Sequence, residues 1–315
     1  MRTFKEQKST GREANATVSL CTQPENTNQD APVHVQELGL EIPTTVLDKE
    51  VRLRTLFREL GAVVVAYSGG VDSSYVAYVA NSELGPNALC VTGVSASLPA
   101  YLSGEVDRVV NEFGFRHEKI QTDELDNPNY QANLGNRCYF CKDELYTKLT
   151  ELAQSRGIEF IVDGSTTDDL DDYRPGRQAA REHLVRSPLI EVGMSKAEVR
   201  ELSRQVALPT WDKPASPCLS SRIAYGTTVT IERLKKVDRG EDILREFGFR
   251  EFRVRHHDTL VRLEIAPAEL ERVLNKDIID QLALRFRELG FKYVTLDLQG
   301  FRSGSMNEAL PQVNL

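Results

Sequence analysis

Between residues 62 and 162 the apolar positions fall into short unbroken runs, separated by longer stretches with a helical period. Ala62-Val-Val-Val-Ala-Tyr67 is the clearest run, and a Val-rich segment of that length is what a central strand buried on both faces requires. Residues 88–94, 116–121 and 159–162 read as further strands. Helical segments are predicted at 73–83, 104–113 and 143–154. Another precedes the first strand, where Leu47, Val51, Leu53, Leu56, Phe57 and Leu60 keep a rough helical period and Gly61 stands at the C-cap position. Strands alternating with helices make βαβ units, so the fold class is α/β with a parallel sheet.

Past Tyr225 the period changes. Phe252-Arg-Val-Arg-His256 and Leu260-Val-Arg-Leu-Glu-Ile265 alternate with period two around His-Asp-Thr, which predicts a hairpin with one wet face. Helical segments at 267–274 and 277–289 and a last alternating strand at 292–298 complete a smaller α+β unit. Residues 1–43 hold no sustained apolar period and are rich in Lys, Gln, Thr, Asn, Glu and Pro, the composition of a disordered extension. The expected organisation is therefore an extension over 1–43, an α/β domain over 44–225 and a C-terminal α+β domain over 226–315.

Composition narrows the function. The chain has 315 residues, about two domains' worth, with 40% hydrophobic and 27% charged positions, ordinary for a globular protein. A formal charge of −8 argues against a general nucleic-acid binder, which needs a basic footprint. No apolar stretch approaches the roughly 20 residues of a membrane span, and the N-terminus lacks the apolar core of a secretory signal. Five cysteines are too few for a disulfide scaffold, so a cytoplasmic, reducing location is expected and clustered cysteines point to metal or catalysis. Cys90 lies within a predicted strand and reads as core, and Cys21 lies in the extension.

Ser68-Gly-Gly-Val-Asp-Ser-Ser74 joins a buried strand to a helix. Gly69 and Gly70 let backbone N–H groups converge on an anion, and Ser73 and Ser74 open a helix whose dipole favours negative charge. Asp72 beside a polyphosphate implies Mg²⁺ between them. The plain alternative is a tight turn with a serine cap. No Gly-Lys-Ser/Thr follows, so this is not the loop of a γ-phosphate-transferring kinase or GTPase. The heptad resembles the PP-loop of the ATP pyrophosphatases at every position. That resemblance implies a Rossmann-like parallel sheet and ATP cleavage to AMP and pyrophosphate. Asp163-Gly-Ser-Thr-Thr-Asp-Asp169 follows another strand at its ligand-facing end, which adds Asp163 and Gly164 to the ATP-binding candidates; an Asp-rich loop can equally be a solvated turn. Arg174 and Arg177 stand next door, suited to a phosphate or to balancing those aspartates.

Cys138-Tyr-Phe-Cys141 directly precedes a predicted amphipathic helix whose inner face is Leu145, Leu149 and Leu152. Thiols at a helix N-terminus, with Lys142 beside them, are expected to have depressed pKa values. Cys218 lies in the proline-restrained Pro214-Ala-Ser-Pro-Cys-Leu-Ser-Ser-Arg222. Three cysteines without a fourth spaced ligand suit a cluster or a catalytic metal better than structural zinc, unless Cys218 is an inert loop thiol. Asn136-Arg-Cys-Tyr-Phe-Cys-Lys142 and the Cys218 segment, together with Asp172-Tyr-Arg-Pro-Gly176, Tyr225-Gly-Thr, Arg253-Val-Arg-His256 and Gly300-Phe-Arg-Ser-Gly304, resemble the LarE family of ATP-dependent sulfur transferases over about residues 47–307. The resemblance implies that the carboxylates of pyridinium-3,5-biscarboxylic acid mononucleotide are adenylylated and converted to thiocarboxylates, in the synthesis of a nickel-pincer nucleotide cofactor. In one branch of that family a single cysteine of the Ser-Ser-Arg loop gives up its sulfur. This sequence departs from it by also carrying Cys138 and Cys141, and so resembles the branch in which three cysteines hold a [4Fe–4S] cluster.

Arg253 and Arg255, two apart on one strand, project from the same face and suit the phosphate of a mononucleotide, or else a solvated strand face. Lys142 and Arg222 are candidates for steadying the adenylate, while His256 and His257 read as surface hairpin residues. The expected partners are ATP, the small pyridinium mononucleotide and further copies of the chain, with no membrane and no nucleic acid. The runner-up is a PP-loop tRNA thiolation enzyme, which the net charge of −8 disfavours.

Overall fold

The structure is a computed structural model, and it describes residues 45–170, 175–214, 217–302 and 305–306. Expectations for residues 1–43 and for Arg174 lie outside the described residues.

The first sheet consists of β1 (Val63–Ala66), β2 (Ala88–Val94), β3 (His117–Gln121) and β4 (Phe160–Val162), all parallel in the order β3-β2-β1-β4. Successive residues of β1 face opposite layers. Val63 and Val65 join Leu53, Phe57, Val76 and Leu202 on one side, whereas Val64 and Ala66 join Leu149, Ala153 and Ile161 on the other. Both faces are covered, which is why β1 reads as an unbroken apolar run. The chain moves from β1 outward to β3 and then returns to β4 on the other side of β1. That reversal is a topological switch point, where open α/β sheets bind ligands beyond the carboxyl ends of the strands.

A second sheet has β5 (Phe252–His257) antiparallel to β6 (Leu260–Ile265), with β7 (Tyr293–Leu296) parallel to β6. Helices Ile231–Glu246 and Lys276–Glu288 pack on it through Ile243, Leu244, Leu282 and Phe286. A bridge from Ile223 to His256 joins the hairpin to the turn that follows Cys218.

Four expectations need correction. The helix after β1 is Val71–Leu84 and is capped by Gly70, so it starts two residues earlier than expected and Ser73 and Ser74 lie within its first turn rather than opening it. The CxxC helix is Arg137–Ser155, so both cysteines are helical. β5 has no wet face: Arg253, Arg255 and His256 are all buried. His256 is therefore a core residue, its ring edge-on to Phe291. Helix Lys196–Gln205, carried by a Ser195/Glu198 capping box, adds an element that apolar period alone does not reveal.

Candidate functional site at the carboxyl ends of the parallel strands

Residues 68–74 leave β1 at the switch point. Gly69 has φ 71°, and a Cβ there would meet Val106 Cγ2 at 2.6 Å, so the turn needs glycine twice over. The Ser73 hydroxyl braces the turn, accepting from the Ser68 N–H at 3.2 Å and donating to the Gly70 carbonyl at 3.2 Å. Gly70 offers no side-chain cap, which leaves the first-turn N–H groups of the helix without a protein side-chain acceptor there. From the neighbouring β4 loop, Gly164 presses against this turn: a Cβ on it would lie 2.7 Å from the Ser73 backbone nitrogen.

Asp72 is mostly buried. Its Oδ2 is 2.8 Å from Lys196 Nζ, while Oδ1 is buried with no partner. Burial pushes its pKa up and Lys196 draws it back. The other aspartates are used by the fold. Asp163 accepts from Ser165 N–H (3.1 Å), Ser165 Oγ (2.8 Å), Ser187 Oγ (2.8 Å) and Tyr146 OH (3.3 Å). Asp169 accepts the Thr166 N–H at 2.8 Å, and Asp168 that of Lys196 at 2.7 Å. Arg177 donates to the Asp169 carbonyl at 3.0 Å. Lys213, which neither motif nor period singled out, reaches the Gly69 carbonyl at 3.3 Å and pairs with Glu105. Beside Gly69 opens a cleft of about 430 Å³ lined in part by Arg108, Thr210 and Lys213.

The cysteines lie on the adjoining side. Cys138 and Cys141 occupy the start of helix Arg137–Ser155, and Cys218 caps the turn Leu219–Arg222. That turn is tied to the sheet by a Leu219 N–H bond to the Ser97 carbonyl, 2.8 Å, just past β2. The thiols are within electrostatic reach of one another: Cys218 raises the pKa of both Cys138 and Cys141. The expected depression is reversed. Burial is the largest cause for each, and it outweighs Lys142 and, at Cys138, Arg137. Cys138 keeps an exposed edge, yet the protein packed around it still disfavours the thiolate. Among the described residues no three His, Cys, Asp or Glu side chains are disposed to hold a metal ion. Cys90 is core, as expected.

Several further residues stand around the thiols. Tyr130 is buried within electrostatic reach of Cys218 and Cys141, its hydroxyl 2.6 Å from Ser220 Oγ. Arg137 is buried and donates to Asn133 and to the Ser220 carbonyl at 3.0 Å. Glu124 accepts from Ser95 and Ser97, while its Oε2 is buried without a partner. Lys142 holds its ammonium 5.3 Å from the Tyr146 ring centre; Tyr146 first, then Asp163 and Cys141, raise its pKa against burial. Arg222 has a different task from the expected one. It is fully buried, ion-paired to Glu241, and donates to the Pro217 and Cys218 carbonyls, so it braces the Cys218 turn.

The arginine pair backs the same turn. Arg255 donates to the Ser221 carbonyl (3.1 Å), Glu264 Oε2 (2.8 Å) and Ser305 Oγ (3.0 Å). Arg253 lies 4.6 Å from the Phe301 ring centre and donates to the Phe252 carbonyl at 2.6 Å; burial, then Arg222, lowers its pKa to about 10.

A four-stranded parallel sheet whose switch point carries this loop is the α/β, Rossmann-like architecture of the PP-loop ATP pyrophosphatases. No protein-family model matches the chain. It is 35% identical, over 86% of its length and 98% of the other's, to the pyridinium-3,5-bisthiocarboxylic acid mononucleotide synthase of Lactiplantibacillus plantarum. It is 47% identical to an uncharacterized protein of Synechocystis, over 82% of this chain and 96% of that one. Similarity to the glutamine-hydrolysing GMP synthase of Geobacillus kaustophilus, 28% identity, covers 62% of this chain and 42% of that protein. The chain belongs to the LarE family, that of the pyridinium-3,5-bisthiocarboxylic acid mononucleotide synthases. The tRNA-thiolating alternative is not favoured. No helix among the described residues is long and apolar enough to cross a membrane.

Proposed function

We propose that this chain is an ATP-dependent sulfurtransferase that adenylylates the carboxylates of pyridinium-3,5-biscarboxylic acid mononucleotide and converts them to thiocarboxylates, in nickel-pincer nucleotide biosynthesis in the cytoplasm. One observation carries the reading: a glycine turn leading into a helix start without a side-chain cap, and three thiols within electrostatic reach of one another, adjoin the carboxyl side of one parallel sheet. The thiocarboxylate synthase among the relatives supplies the substrate class.

A carboxylate is a poor electrophile until it gains a leaving group. Residues 68–70 and the first-turn N–H groups hold the phosphates. The substrate carboxylate attacks the α-phosphorus, the bond to pyrophosphate breaks, and an acyl adenylate forms. Mg²⁺ fits at Asp72, whose buried Oδ1 lacks a partner, and supplies charge neutralisation on the phosphates when bound. Lys142, between Asp163 and Cys141, steadies the adenylate. The Cys218 thiol then loses its proton to solvent, its sulfur attacks the acyl carbon, and AMP leaves with the electron pair of the bond to the acyl carbon. Loss of the Cα proton to solvent forms the Cα=Cβ bond and expels the thiocarboxylate with the electron pair of the Cβ–S bond, leaving dehydroalanine in the chain.

Cys138, Cys141 and Cys218 are the set that would hold a [4Fe–4S] cluster with a sulfide donor. As the side chains stand, these three do not form a metal-binding group. Residues 44–225 then serve ATP and sulfur, and residues 226–315 serve the substrate and self-association, with Arg253 and Arg255 toward the mononucleotide phosphate.

The test is anaerobic turnover with ATP, Mg²⁺ and the biscarboxylate. AMP, pyrophosphate and thiocarboxylate are expected in step, and absence of AMP overturns the reading. A protein mass lower by one sulfur identifies Cys218 as donor. Unchanged mass with bound iron and labile sulfide identifies a cluster.

A further inference from the structure

Two lysines reach the 68–74 turn, and they are held differently. Lys213 is pinned to both the Gly69 carbonyl and Glu105, with 15% of its side chain exposed. The Lys196 ammonium has one partner among the described residues, Asp72 Oδ2 at 2.8 Å, and 38% of its side chain is exposed. Its backbone, in contrast, is fixed. The Lys196 N–H donates to Asp168 Oδ2 at 2.7 Å. The capping box of Ser195 and Glu198 locks the turn, and Lys49 ties Glu198 to helix Val46–Leu60 at 2.7 Å. A rigid base with a flexible four-carbon stem lets the ammonium change partners while the chain stays still.

The partner it would leave is a mostly buried carboxylate with an orphaned second oxygen, a group that is costly without a cation. Asp169 adds negative charge to its surroundings and Arg200 weakly opposes it, so Lys196 is the principal counter-charge.

We propose that Lys196 is a latch on Asp72: its ammonium occupies the carboxylate while the loop is empty and passes to an ATP phosphate when nucleotide binds, so that Asp72 takes a divalent cation with ATP and not before it. This rests on the loop being the ATP site. The exchange swaps one ion pair for another, and no covalent bond changes. A ligand shifts such an equilibrium only by its differential interaction with the two arrangements, and the triphosphate supplies that difference.

The experiment titrates Mn²⁺ into the intact protein, read by the electron paramagnetic resonance of free Mn²⁺, with and without a non-hydrolysable ATP analogue. In the wild type the analogue should tighten Mn²⁺ by about tenfold or more. Lys196→Met should bind Mn²⁺ about tenfold tighter than wild type without nucleotide, as expected when a competing cation is removed. Lys196→Arg keeps the ion pair and should behave like wild type, and Asp72→Asn should lose tight Mn²⁺ throughout. Should Lys196→Met fail to fold, judged by its thermal melt, Lys196→Gln carries the same expectation. Equal wild-type affinity with and without the analogue, or an unchanged nucleotide-free affinity in Lys196→Met and Lys196→Gln, overturns the latch. Failure of the analogue itself to bind, measured by separate calorimetry, overturns the ATP site instead.

Discussion

Arg222 and Glu241 form an ion pair at 2.8 Å, with 1% and 2% of their side chains exposed. Its setting is the turn that holds Cys218, so loop position and core stability depend on the same two charges. Removing one partner strands the other. Arg222→Met should cost about 3–5 kcal/mol in urea unfolding, the range for a broken buried pair, although Arg245 at 3.5 Å relieves part of the Glu241 charge. A loss below about 1 kcal/mol would mean that the turn is braced by its backbone alone.

Two glycines should respond in opposite directions to alanine. Gly164→Ala puts a methyl 2.7 Å from the Ser73 backbone nitrogen and should weaken both stability and ATP binding. Gly104 lies in helix Ala100–Phe113, and its added Cβ would meet nothing within 4 Å; Gly104→Ala should stabilise by about 0.5–1 kcal/mol. Thermal melts and ATP calorimetry on the pair check both signs.

Cys218→Ala should retain AMP formation and lose thiocarboxylate, measured by chromatography of both products. Cys138→Ala with Cys141→Ala should complete one turnover if Cys218 donates its own sulfur. The pair should complete none if the three thiols act as one centre.

Arg255→Lys and Arg253→Ala should raise the KM for the mononucleotide far more than that for ATP. Equal losses would assign the hairpin to the nucleotide site instead.

His256 is buried and its pKa is lowered, first by burial and then by Arg233. The unfolded chain therefore binds more protons below about pH 6.5, so stability should fall as pH drops through that value and be fully present above it. His117 and His257 shift in the same direction. His256→Phe should flatten, without abolishing, the slope of unfolding free energy between about pH 5 and 7.

The parallel sheet is legible in the chain because β1 is covered on both faces, which forces an uninterrupted Val run. The start of the cysteine helix is not. Residues 136–142 show no apolar period, and the helix there rests on the buried Arg137 and its bonds to Asn133 and Ser220. β5 is misread as half-wet for a similar reason. Arg253 and Arg255 alternate like solvent residues, but Glu264 on β6, Phe301 and Ser221 cover them from elsewhere in the chain. Ser195 and Glu198 mark a helix start locally, whereas the meeting of Lys196 with Asp72 joins residues 124 apart. Position along the chain carries the loop and the thiols; burial and counter-charge come from partners that sequence spacing does not reveal.

The helix bearing Cys138 runs 19 residues, to Ser155. Its far end, at Leu149 and Ala153, is packed under β1 and β4. At 1.5 Å per residue, Cys138 stands about 22 Å from Ala153 along the axis. The helix is thus a strut held at both ends, by Leu149 and Ala153 in the core and by Arg137, bonded to Asn133 and the Ser220 carbonyl, beside the thiols. Conservative changes beneath the sheet then reach the thiols along a rigid rod, and would be read out as sulfur delivered to the wrong place.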